Sequence, residues 1–370
     1  MDIGVPREIK KHEYRIGMTP ADVKSYVSHG HALFVEQNAG VGSGYTDEEY
    51  VAAGATIVPT ASEVFDRAKM IVKVKEPLPE EYDLFQPGHI LYTYLHLAAN
   101  VRLANVLLEK QVSAVAYETI ELPDRTLPCL TPMSEIAGRL SVQEGAKYLE
   151  KEFGGRGILL GGVPGVPRGV VAILGGGVVG TNACKIATGI GANVTILDVN
   201  PKRLAYLDDI FGSSITTLYA TDANLEYVLG EADIVIGAVL LAGESTPKLI
   251  TREHLKLMKP GAVLVDVAVD QGGVAETTRP TTHDEPIYIV DDVVHYCVAN
   301  MPGAVARSST IALTSVTLPY GLSIADQGLE VAIAESIPLR KGLNTHAGAM
   351  VHEAVARSCG IRYTPYEPAQ

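Results

Sequence analysis

The stretch Val170-Val-Ala-Ile-Leu-Gly-Gly-Gly-Val-Val-Gly180 decides the fold. Five apolar residues make a buried strand, three consecutive glycines break it, and a helix opens at once. In that helix Val179, Ala183, Ile186, Ala187 and Ile190 fall at i, i+4, i+7, i+8 and i+11, a single apolar face ended by Gly191. Gly175, Gly177 and Gly180 match Gly-x-Gly-x-x-Gly in the strand-turn-helix setting that gives the motif meaning. Gly175 makes the turn, Gly177 lets backbone approach a pyrophosphate, and Gly180 lets helix press on strand, while the helix N-terminus faces the anion. Asp198 closes the next strand, eighteen residues after Gly180, where a carboxylate accepts hydrogen bonds from a ribose 2′-hydroxyl. NAD is the expected cofactor, because Asp198 repels a 2′-phosphate. Lys202-Arg203, on a helix opened by Asn200 and Pro201, pulls the other way.

Working outward, the same rhythm continues on both sides. Downstream, Val194–Leu197, Ile215–Leu218, Ile234–Val239, Ala262–Val267 and Ile287–Val290 read as strands. Upstream, Asp2–Pro6, Ala32–Val35, Ala55–Val58, Met70–Val74, Ile90–Tyr94 and Val112–Ala116 do so, separated by helical segments such as the one opened by Thr19 and Pro20. Strand-helix alternation implies parallel sheets, so the fold class is α/β with two Rossmann-like domains. A long helix is expected over about Ser134 to Glu152 and another over Ala306 to Gln327. The tail is too short to be a domain and should pack on the first one. The expected organisation is a discontinuous substrate domain, residues 1–130 with 306–370, and an NAD-binding domain, residues 131–305.

Composition narrows the function. The 370 residues carry 30 basic and 43 acidic side chains, a formal net charge of −13, and no basic stripe, which argues against nucleic acid and anionic membrane as partners. The longest apolar stretch, Ile158 to Cys184, is broken by Pro164, Pro167 and Arg168, and is no spanning helix. The start, Met-Asp-Ile-Gly-Val-Pro-Arg-Glu, lacks the basic and apolar regions of a signal peptide, and a cytoplasmic protein is expected. Cys129, Cys184, Cys297 and Cys359 are far apart in sequence and read as reduced residues, with no metal site expected.

Several further motifs stand together: Ile3-Gly-Val-Pro-Arg-Glu-Ile-Lys10, Glu13-Tyr-Arg-Ile-Gly-Met-Thr-Pro20, Lys73-Val-Lys-Glu-Pro77, Tyr94-Leu-His-Leu-Ala98, Pro132-Met-Ser-Glu135, the glycine-rich run Gly154 to Gly165, Val265-Asp-Val-Ala-Val-Asp-Gln-Gly-Gly273 and Cys297-Val-Ala-Asn-Met-Pro-Gly303. The set resembles the L-alanine dehydrogenases from the first residues to nearly the last. Single motifs are shared with the transhydrogenase α subunit and the lysine-forming saccharopine dehydrogenases. The resemblance implies reversible conversion of L-alanine, NAD⁺ and water into pyruvate, ammonium and NADH, by a homohexamer. It assigns Arg15 and Lys75 to substrate binding, His96 to general acid/base chemistry and Asp270 to activation of water or ammonia. For the cofactor it adds Ser134, Val178, Val179, Asp198, Arg203, Val239, Leu240, Val267, Ala268, Val269, Asp270, Arg279, Val298, Ala299, Asn300 and Met301 to the three glycines. Ala220 stands where family members commonly carry a serine reaching the adenine end.

Each site residue has a duller reading. Lys73 and Lys75 share one face of an alternating strand, as edge-guarding lysines do. His96 shares a face with Tyr92 and Tyr94 and fits a core histidine. Asp270 fits a turn, and Arg15 a solvated charge. Two other functions fit the fold: a reductive amination joining lysine or ornithine to a keto acid, and a transhydrogenase-like dinucleotide module.

Overall fold

The computed structural model describes residues 1–239 and 246–367, in two compact units, residues 1–133 with 305–370 and residues 134–304. The first unit is built on β1 (Asp2–Val5), β2 (Ala32–Glu36), β3 (Thr56–Val58), β4 (Met70–Val72), β5 (Ile90–Thr93) and β6 (Ser113–Ala116). The second uses β7 (Val170–Leu174), β8 (Asn193–Asp198), β9 (Ile215–Tyr219), β10 (Ile234–Gly237), β11 (Val263–Asp266), β12 (Ile287–Val290) and β13 (Val293–Tyr296). The chain then returns to the first unit with β14 (Leu343–His346) and β15 (Ala349–Met350).

Strand order in the first sheet is β15-β14-β6-β5-β4-β1-β2-β3, parallel from β1 through β6. The order reverses between β1 and β4, and such reversals open a ligand crevice at the strands' carboxyl ends. Residues following β1, β4, β5 and β6 therefore converge there. β4 lies between β1 and β5, so Lys73 and Lys75 follow a central strand and guard no edge. The tail strands β14 and β15 are antiparallel. Met350 and Val355 from the tail join Phe65, Leu91, Leu103 and Leu107 in one buried core.

The second sheet runs β12-β13-β11-β10-β7-β8-β9, with its reversal between β7 and β10. Gly175 follows β7, Ala238 follows β10, and Asp198 ends β8, all at one crevice. The sequence reading of 287–290 as one more strand of a doubly wound sheet needs correcting. Among the described residues β12 pairs with β13 alone, antiparallel, through Asp291 and Asp292 at φ 48° and 61°. Two successive left-handed residues make the tight turn that matches strand twist. The long helix spans Thr131–Tyr148, and the later one Ala306–Gln327.

Candidate active site

In the second unit the glycines behave as their spacing demands. Gly175 has φ +100°, and a Cβ there would lie 2.8 Å from Ala238 O; a Cβ on Gly180 would lie 1.9 Å from Gly175 O. At Gly177 a Cβ would meet nothing within 4 Å, which leaves open space at the start of helix Val178–Ile190. This is the arrangement an anionic pyrophosphate needs. A mostly apolar cavity of about 540 Å³ lies in front, lined by Ser134, Gly175, Gly177, Val178, Val179, Asp198, Val239 and, further along, Ala220, Thr221 and Asp222. Ser134 reaches it because Gly138 packs its helix on the nucleotide helix so closely that a Cβ would sit 2.2 Å from Val179 O. The donor set and the open turn fit a dinucleotide.

Asp198 Oδ2 accepts from Gly176 N–H at 2.6 Å, and Oδ1 from Asn200 N–H at 2.8 Å. Arg203 is engaged with the turn: its Nε donates to Gly176 O, its Nη2 to Thr181 Oγ1, and its guanidinium lies 4.5 Å from the Tyr206 ring centre. Leu240 lies outside the described residues.

Val267, Ala268, Val269 and Asp270 follow β11 and do not line the cavity. Ala268 and Val269 are buried and Asp270 is exposed on a short 3₁₀ turn. The loop hangs on Asp266, which is wholly buried and accepts from Ala268 N–H (3.0 Å), Val274 N–H (2.8 Å) and Thr278 Oγ1 (2.6 Å). Burial outweighs these hydrogen bonds and pushes the Asp266 carboxyl above its ordinary range. Lys248 fastens the far side by donating to Gly273 O at 3.0 Å and Ala275 O at 2.9 Å. Arg279 is exposed, its guanidinium 4.1 Å over the Tyr288 ring. In the Val298–Met301 loop Asn300 takes φ +63°, and Val298 and Met301 are buried.

In the first unit Arg15 is buried, 2% exposed, so it is no solvated charge. Its Nε and Nη2 form a fork on Glu13 at 2.6 Å each, and Nη1 faces Met133 Sδ at 3.0 Å. The fork expected for a substrate is thus used internally, to hold the guanidinium. Lys75 is largely sheltered; burial first, then the Arg15 charge, pulls its ammonium below the usual lysine pKa. Lys73 is buried and ion-paired with Glu81 (2.8 Å) and Glu8 (3.3 Å). Glu8 Oε1 also accepts from Val74 N–H at 2.6 Å and so fixes the main chain that carries Lys75.

His96 leaves the strand pattern. Its φ is +49°, its side chain is 48% exposed, and its ring stacks on Tyr94 with centroids 5.9 Å apart, which excludes a core histidine. Glu118 accepts its N–H at 2.6 Å and that of Leu95 at 3.1 Å. Tyr94 itself is buried and donates to Cys129 O at 2.5 Å. Glu76 Oε2 lies 3.4 Å from His96 Nδ1 and Lys10 pairs with the other oxygen.

Both halves of the chain match known family models. The model for the alanine dehydrogenase/PNT N-terminal domain covers residues 4–137, and that for the C-terminal domain residues 141–353. The chain belongs to the alanine dehydrogenase/PNT family. Within it, the alanine dehydrogenase of Methanococcus maripaludis is 58% identical over all of this chain and 99% of its own length. A solved L-alanine dehydrogenase is 54% identical, with a TM-score of 0.95 over 97% of this chain and 99% of that one. A transhydrogenase from Sinorhizobium meliloti reaches 25% and 0.83, over 96% and 100%. As a member of the alanine dehydrogenase/PNT family the chain is a dinucleotide-binding oxidoreductase. Among the described residues no helix is long and apolar enough to cross a membrane.

Sequence reasoning missed Glu13, Glu76, Glu118 and Asp266, the carboxylates that hold the assigned residues. Glu13, Glu76 and Asp266 lie inside quoted motifs and Glu118 does not, and none of the four shows a periodicity that marks it.

Proposed function

We propose that the chain is an NAD-dependent L-alanine dehydrogenase, converting L-alanine, NAD⁺ and water reversibly into pyruvate, ammonium, NADH and a proton. The observation that carries this reading is the sheltered cation Lys75, on main chain fixed by Glu8, in the same unit as a buried Arg15 that Glu13 holds by two hydrogen bonds of 2.6 Å. Glu13 already answers the charge of Arg15, so the sheltered ammonium of Lys75 is the cation that the carboxylate or carbonyl oxygen of a small amino or oxo acid would meet.

Arg15, anchored by Glu13, holds the substrate carboxylate. Lys75 polarises the oxygen or imine nitrogen at Cα. His96 moves protons as the carbinolamine forms and collapses; its exposed ring gives them a route to solvent. Asp270 activates the water that attacks the imine. Bound nicotinamide supplies the acceptor for the Cα hydrogen and its electron pair. NAD rather than NADP follows from Asp198 on the cavity wall. Substrate binding belongs to a domain of residues 1–130 with 306–370, and cofactor binding to residues 131–305. By family resemblance the enzyme is a cytoplasmic homohexamer.

The test follows absorbance on mixing protein with NAD⁺ and L-alanine, D-alanine, L-serine or L-lysine, and the reverse with pyruvate, NADH and ammonium. Turnover with L-alanine and an ammonium requirement in reverse are expected. Silence with alanine in both directions, with turnover of lysine plus a keto acid, would replace this reading by the amino-acid-joining one.

A further inference from the structure

The three arginines assigned to the site spend their donors differently. Arg15 gives Nε and Nη2 to Glu13, and Arg203 gives Nε and Nη2 to Gly176 O and Thr181 Oγ1. Among the described residues no carboxylate or carbonyl takes a hydrogen bond from the Arg279 guanidinium, which lies 4.1 Å from the centre of the Tyr288 ring. A planar cation on a ring face is held through its plane, and the donors around its edge stay free for a partner.

The ring beneath it is itself fixed. Tyr288 on β12 is the cross-strand partner of His295 on β13, and the two rings stack with centroids 5.0 Å apart. Tyr288 Oη donates to Thr277 O at 2.9 Å and accepts Arg279 N–H at 2.9 Å, so one side chain holds both the main chain and the guanidinium of Arg279. His295 is wholly buried. Its Nδ1 donates to Val293 O at 3.0 Å, which leaves Nε2 of the neutral ring to accept from Thr277 Oγ1 at 2.8 Å.

We propose that Tyr288 is a positioning residue for coenzyme binding: its ring and hydroxyl fix Arg279 so that the free edge of the guanidinium meets an anionic oxygen of the dinucleotide. This rests on the NAD reading given above and on Arg279 as a cofactor residue, and deepens both. An exposed arginine ordinarily gives up rotamer freedom each time it binds an anion, and the stack removes part of that cost before the coenzyme arrives.

The test titrates the full chain with NADH, for the parent and for Arg279→Ala, Tyr288→Leu, Tyr288→Phe and the double variant Arg279→Ala/Tyr288→Leu. Arg279→Ala is expected to weaken binding about tenfold. Tyr288→Leu should weaken it about three- to tenfold while Arg279 is present, and have no further effect once Arg279 is gone. Tyr288→Phe keeps the ring at a half-buried position where water replaces the hydroxyl, and should recover most of that loss. Tyr288→Met, which has bulk without an aromatic face, takes the place of Tyr288→Leu where that variant does not fold. Unchanged binding in Tyr288→Leu overturns the proposal, and so does an equal loss with and without Arg279, the result of a merely structural role. Tyr288→Phe as weak as Tyr288→Leu overturns the stack. If Arg279→Ala binds NADH like the parent, Arg279 does not reach the dinucleotide and the proposal falls, whereas the NAD reading is decided separately, by the coenzyme ratio of Asp198→Ala.

Discussion

Glu76 Oε2 stands 3.4 Å from His96 Nδ1, and Lys10 pairs with the other carboxylate oxygen. The contact to His96 is longer than a hydrogen bond and makes an ion pair when the ring is protonated. Burial pushes the Glu76 carboxyl up, but His96 and Lys10 outweigh it and hold the group at about 2 against an ordinary 4.5. A carboxyl lowered by folding contributes stability that is complete above the ordinary value and drains away as pH falls toward the folded one. Because His96 and Lys10 are both over 40% exposed, solvent screening cuts the contribution to on the order of 1–2 kcal/mol. Glu76→Gln should therefore lose that stability at neutral pH and little near pH 2. Denaturant melts at several pH values check this; equal loss at all pH values rejects the ion pair.

His96→Ala and Asp270→Asn should each lower turnover by at least about 10²-fold while NADH still binds, because neither residue belongs to the glycine turn. Steady-state rates and NADH titration measure this. Near-normal turnover in either variant removes that residue's role.

Asp198→Ala should shift the NADP:NAD ratio of kcat/KM upward, about tenfold or more, by removing charge from the cavity wall. Parallel rates with the two coenzymes decide it.

Asp266→Ala leaves two backbone N–H groups and the Thr278 hydroxyl without their shared acceptor inside the protein. A loss of about 2–4 kcal/mol in unfolding free energy is expected, with reduced turnover as the loop carrying Asp270 loosens. An unchanged melting midpoint would show that the knot is dispensable.

Lys75 should lose its proton at lower pH than a solvent lysine, through burial and then through Arg15. The alkaline limb of kcat/KM for pyruvate therefore falls below the ordinary lysine value, and Arg15→Gln moves it up. A limb that does not move separates the two cations.

The parts of the fold that were legible are those made by local pattern. Val170–Gly180 carries its strand, turn and helix within eleven residues, and the glycines' spacing alone implies the close approaches at Gly175 and Gly180. The β12–β13 hairpin was not legible, because Asp291 and Asp292 reach left-handed φ without the glycine that usually marks such a turn. β14 and β15 are short, and β6, on which β14 pairs, lies more than two hundred residues upstream. At the site, His96 was legible through its motif, but not its partners. Glu118 binds it from 22 residues away and Glu76 from across a strand end, contacts that no period records.

Completion of the first sheet by β14 has a consequence for how the chain is born. β6 ends at Ala116 and β14 begins at Leu343, so the edge of β6 waits for about 230 residues of synthesis, roughly ten to forty-five seconds on a ribosome. During that interval residues 134–304 emerge as one uninterrupted segment and meet no such delay. The nucleotide-binding half is the half that folds on schedule, and the unclosed edge of the other is where a nascent chain would first pair with the wrong neighbour.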